Sequence, residues 1–178
     1  MQTIKLGILL LSISILTSCK NNTEPEVKTV DTNNPSATTE EAEITPTFSD
    51  KTIAAVYADY DLLKKALVLT SAEKASTAAE KLKTSLLNAN ATEVTVMAVQ
   101  IVIDAKDVED QRKSFVGITQ AVEKMIEGAI TSGAIYKQYC PMAFNNTGAY
   151  WLSSSDQIRN PYFGDKMLKC GRIDKEIK

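Results

Sequence analysis

The chain of 178 residues contains no histidine. That absence removes the Ser–His and Cys–His nucleophile pairs and every imidazole ligand, which weighs against zinc, nickel and copper(II) centres. Gly-x-Ser-x-Gly, Walker and dinucleotide glycine patterns and Cys-x-x-Cys are missing as well. Asp107, Glu109 and Asp110 crowd the start of a periodic segment, where acids suit the positive end of a helix dipole, so they are not read as a catalytic pair. No enzyme is expected. The formal charge is −2, and the surplus of about three positive charges over 134–178 falls far short of a nucleic-acid surface.

Cysteine is scarce, with three residues, Cys19, Cys140 and Cys170. The first lies in MQTIKLGILLLSISILTSCK, where Lys5 precedes an apolar stretch from Leu6 to Leu16. Such a run is shorter than the roughly 20 residues a spanning helix needs, and it fits a secretory signal peptide over 1–18. Leu16-Thr17-Ser18-Cys19 resembles a bacterial lipobox, which implies cleavage before Cys19 and lipidation there. The expectation is an envelope lipoprotein held to a membrane by its acyl chains. Lys20 follows the cysteine instead of a retaining aspartate, pointing to the outer membrane, facing the periplasm, with the leaflet open. Residues 19–50 carry seven acids against two lysines and almost no large apolar side chain, so they are expected to form a disordered tether.

Residues 51–178 are expected to form one domain, mainly α: an up-down four-helix bundle with a small irregular, short-strand C-terminal subregion packed on it. Ile53, Val56, Tyr57, Tyr60, Leu63 and Leu67 recur at helical spacing after Asp50, a candidate N-cap. Ser71 opens a second stripe of Ala75, Ala79, Leu82 and Leu86. From about Asp107, Gln111, Phe115, Ile118, Val122 and Met125 share a face, with Gly133 marking the exit. VTVMAVQIVI, residues 94–103, is β-branched enough for a strand, but a lone strand there has no partner. A helix with Val94, Met97, Ala98, Ile101 and Ala105 as its buried stripe is the reading adopted. All these stripes are read as core, not as a cofactor box.

The tail over 134–174 changes texture. Residues 134–139 and 149–152 suit strands on either side of the turn Asn145-Asn146-Thr147-Gly148, and Asp165–Cys170 suits one or two helical turns. Trp151, Tyr162 and Phe163 are the candidate anchors on the bundle. Arg112 and Arg159 are expected to hydrogen-bond at the bundle–tail junction.

The run CPMAFNNTGAYWLSSSDQIRNPYFGDKMLKCG, with EDQRKSF before it, resembles the signature of a family of unknown function common in the Bacteroidetes. The similarity extends over about residues 52–174. Members of that family occur as lone lipoproteins and as the C-terminal module of periplasmic adaptors of heavy-metal efflux pumps. The resemblance therefore implies an envelope role near copper or silver handling, with an efflux or other envelope protein as partner.

Two readings of the tail sulfurs stay open. Cys140 and Met142 leave the same side of an extended segment, and Met167 and Cys170 share a face of a helical turn. Converging, the four would make a soft site selecting copper(I). Alternatively a Cys140–Cys170 disulfide staples the tail, worth roughly 3.6 kcal/mol on chain-entropy grounds for a loop of about 30 residues. The methionines then fill gaps. The first reading makes the protein a copper(I)- or silver-binding efflux accessory. The second makes it an interaction module without metal, docking through Trp151, Tyr162 and Phe163.

Overall fold

A computed structural model describes residues 45–178. The expected signal peptide over 1–18, the lipidated Cys19 and the tether as far as residue 44 lie outside the described residues.

Four helices follow one another through connections of three or four residues: α1 (Lys51–Val68), α2 (Ala72–Asn88), α3 (Glu93–Asp104) and α4 (Val108–Ile126). Each begins where a short polar side chain satisfies an otherwise orphaned amide. Asp50 accepts from Thr52 N (2.7 Å), Ser71 from Lys74 N (3.3 Å), Thr92 from Thr95 N (3.4 Å) and Asp107 from Glu109 N (2.8 Å). Successive helices pack together and α4 closes on α1, which makes the mainly α four-helix architecture.

The stripes of α1, α2 and α4 are buried as their spacing predicts. Val56, Tyr57, Tyr60, Leu63 and Leu67 meet Ala75, Ala79, Leu82, Leu86, Phe115, Ile118 and Val122 in one core. Gln111 is buried among them because its amide donates to Ala72 O (3.0 Å), Val102 O (3.1 Å) and Ser76 Oγ (3.1 Å).

Two local expectations are corrected. Helix α3 forms, but the face it buries is Thr95, Val99 and Val102. Val94, Met97 and Ile101 are exposed instead. This helix is apolar nearly all round, so periodicity does not single out one face. Helix α4 ends at Ile126, with Gly128 in the left-handed region (φ 73°), so the chain leaves the bundle before Gly133.

The freed chain forms β2 (Ile130–Ser132), antiparallel to β1 (Thr47–Phe48) at the end of the expected tether. The tail builds a three-stranded antiparallel sheet in the order β4-β3-β5, from β3 (Ile135–Cys140), β4 (Ala149–Ser153) and β5 (Arg172–Ile177). The predicted turn joins β3 to β4 through Phe144, Asn145 and Asn146 in left-handed conformations. Gly148 (φ 81°) closes it under the Tyr139 ring, where a Cβ would stand 2.0 Å from the phenol oxygen. A single 3-10 turn, Gly164–Met167, occupies the segment expected to be helical.

Sheet and bundle share one core. Tyr60 of α1 bonds Thr119 of α4 (2.9 Å) and accepts from Leu152 N of β4 (3.0 Å). Burial, opposed by those two bonds, raises the Tyr60 pKa far above the usual phenol range.

Candidate functional site

The sulfur-bearing segments are positioned by the sheet and by one asparagine. Cys140 is the last residue of β3 and fully buried, and Pro141, lacking an amide donor, ends the strand. Cys170 lies just before β5, its amide bonded to Met167 O (3.0 Å). Its carbonyl accepts from Asn160 Nδ2 (2.8 Å), while Asn160 Oδ1 accepts from Tyr162 N (2.8 Å) and Phe163 N (3.3 Å). Asn160 is completely buried and pins the Asn-Pro turn to the second cysteine. In the sequence Asn160-Pro161 reads as a turn. The asparagine's ability to bond its own backbone two residues on was the available signal.

The structure brings Cys140 and Cys170 together, with Sγ–Sγ 3.1 Å and both thiols free. The hydrogen bond with Cys140, then burial, pushes the Cys170 pKa up to about 11, so in this state the Cys170 thiol is protonated near neutrality. The methionines are less enclosed: Met142 is 45% exposed beyond Pro141, and Met167 is half-buried at the end of the 3-10 turn. Among the described residues no group of three or more Cys, Asp or Glu side chains is disposed to hold a metal ion. The pair does not fit such an ion as it stands. Two thiolates at about 2.3 Å from a tetrahedral metal are roughly 3.8 Å apart, and these sulfurs are closer than that. They need approach by only about 1 Å to reach disulfide bonding distance.

The aromatic docking surface is corrected. Trp151 is fully buried, Tyr162 is 4% exposed and Phe163 is half-buried, so none offers an open face. They form the junction: the Tyr162 ring lies 6.2 Å from Trp151, 6.0 Å from Phe115 and 5.3 Å from Phe144. Its hydroxyl donates to Tyr150 O. A polar knot sits beside them. Arg112, fully buried, donates from Nε to Pro161 O (2.8 Å), from Nη1 to Glu109 (2.7 Å), and from Nη2 to Leu67 O (3.0 Å) and Thr70 Oγ1 (3.1 Å). Arg159, expected at the same junction, is exposed. Gly164 is left-handed (φ 58°), and a Cβ there would lie 2.1 Å from Thr70 Oγ1 and 2.8 Å from Arg112 Nη2.

Residues 56–133 match a family model described as "Protein of unknown function (DUF3347)". The matched span, under half of the chain, holds most of α1 and all of α2, α3, α4 and β2, and stops before the sheet that carries the cysteines. No curated protein and no solved structure matches.

Proposed function

We propose that the chain is a lipid-anchored envelope module whose tail is locked by a Cys140–Cys170 disulfide, and that it acts through protein contacts and not through chemistry. The observation that carries this reading is the 3.1 Å approach of the only two cysteines in the folded domain. In an oxidising compartment the two thiols lose two protons and two electrons to a thiol–disulfide exchange partner, and the product persists. Cys170, the more exposed, attacks the exchange partner's disulfide as the thiolate to form a mixed disulfide. Cys140, losing its proton, then attacks the Cys170 sulfur and releases the exchange partner as its dithiol. The lipid anchor on Cys19, outer-membrane address and efflux or envelope partner are part of the proposal, supported by the lipobox and the tail signature.

The copper(I) or silver reading uses the same sulfurs. It requires the thiols to be reduced, deprotonated and parted, with Met142 and Met167 turned toward them. A copper(I) competition titration separates the two. The reduced wild type, like Cys140→Ser, is expected to leave a copper(I) indicator undisturbed, and tight binding by the reduced wild type that Cys140→Ser abolishes would favour the metal reading. Tight copper(I) binding by the oxidised protein would show that the methionines suffice and would defeat the staple as the site's purpose.

A further inference from the structure

We propose that the outer face of α3 and α4 is a dimer interface, occupied by the same face of a second copy of this chain. Val94, Met97 and Ile101 are 77%, 58% and 55% exposed. Their spacing of three and four places them on one stripe of α3, pointing away from the residues that it buries. Three large apolar side chains in line on one helix are a patch, not the scatter of single hydrophobics expected on any surface.

Beside the stripe α4 presents the opposite relief. Ser114 Oγ donates to Ala98 O (2.8 Å), fixing the two helices at that level. Outward from Ser114 the small residues Gly117 and Ala121 continue at helical spacing. Gly117 is exposed within a helix, and a Cβ there would meet nothing within 4 Å. A glycine in a helix interior is destabilising relative to alanine, and close approach of another backbone is a reason to have one. One ridge and one trough on the same face are self-complementary under a two-fold axis.

Charge complementarity argues for a second copy, with the exposed Asp110 the one acid on the α4 line of Ser114, Gly117 and Ala121. Glu93 and Asp104, both exposed, flank the apolar stripe on the side away from α4. Lys113 and Lys124, both exposed, flank the small residues on the side away from α3. Each pair is eleven residues apart, three helical turns or about 16.5 Å, so each lies on one line along its helix. Laying the α3 ridge of one copy in the α4 trough of the other sets two acids against two lysines at matched spacing, twice over. The present partners do not oppose this: Lys113 holds Asp110 in a pair with both side chains more than 60% exposed, and Asp104 accepts from Gln100.

The test uses the full chain mixed in two isotopic forms and coupled with a zero-length carbodiimide. Peptides joining Glu93 or Asp104 of one form to Lys113 or Lys124 of the other are expected. Ile101→Glu should cut their yield at least tenfold with the helical signal unchanged, since the position is exposed. Glu93→Lys with Asp104→Lys should do likewise, and adding Lys113→Glu with Lys124→Glu should restore coupling. A chain monomeric up to about 1 mM, the weak end of specific association, overturns the proposal. So does coupling that survives Ile101→Glu, or a full charge exchange that fails to restore it.

Discussion

Replacing Arg112 by methionine tests the junction between bundle and tail. The guanidinium is fully buried and makes four hydrogen bonds to two helices and the Asn-Pro turn. Methionine fills much of the volume but cannot donate. Leu67 O keeps the bond from Thr70 N (3.0 Å), and Thr70 Oγ1 keeps Asp165 (3.3 Å), so Pro161 O is the acceptor most exposed to loss. A buried acceptor stripped of its donor costs about 1–3 kcal/mol, and bonds from a charged donor are worth about 1.5–3 kcal/mol each. Removing the guanidinium also returns its desolvation cost, which offsets part of that sum. A net loss of about 3 kcal/mol follows from the acceptors left without their donor, since Glu109 is half exposed and stays solvated. With a urea m-value of about 1–3 kcal/mol/M, the midpoint should fall by roughly 1–3 M. Far-UV circular dichroism follows the helices, and the single tryptophan, Trp151, follows the sheet. Because both regions share one core, the two transitions should move together. A midpoint lowered by under about 0.3 M at unchanged m would refute the assigned role.

Gly164→Ala should cost at least about 2 kcal/mol, combining a left-handed backbone with the 2.1 Å approach to Thr70 Oγ1; thermal unfolding within 1–2 °C of wild type would contradict it. Tyr60→Phe leaves Leu152 N without the hydroxyl that accepts from it and should cost about 1–3 kcal/mol by urea titration; an unchanged midpoint would mean that the bond carries nothing. The reduced protein should lose stability as pH rises. The folded Cys170 pKa is raised from near 9 to about 11, so its contribution is complete below about pH 9 and is lost toward pH 11. The oxidised protein should lack that step between pH 9 and 11, and equal slopes for the two forms would remove the thiol pair as its cause.

The architecture was legible where the pattern is local. Asp50, Ser71 and Asp107 sit where helix entry needs an acceptor, and the stripes through Tyr60, Leu82 and Phe115 have one apolar face each. Helix α3 was legible as a helix but not in orientation, because valines and isoleucines surround it and tertiary contacts chose Val99 over Met97. Pairings between distant segments left little local trace. Thr47 meets Ser132 across the whole bundle, and β5 reads as the charged run Arg-Ile-Asp-Lys-Glu-Ile with only Ile177 buried. At the candidate site, the meeting of Cys140 and Cys170 could be anticipated because each is the other's only cysteine partner in the domain. The fate of the aromatics could not. Trp151 and Tyr162 suit an interface and a core equally well by composition, and only the position of β4 against α1 and α4 decides for the core.

The most direct measurement is the bonding state of Cys140 and Cys170 in full-length protein taken from cells, alkylated before any reductant is added and mapped by peptide mass spectrometry. A disulfide staple predicts that neither cysteine is alkylated and that their two peptides run as one species, separating on reduction. Two fully alkylated cysteines, found in protein that had matured in the envelope, would contradict it.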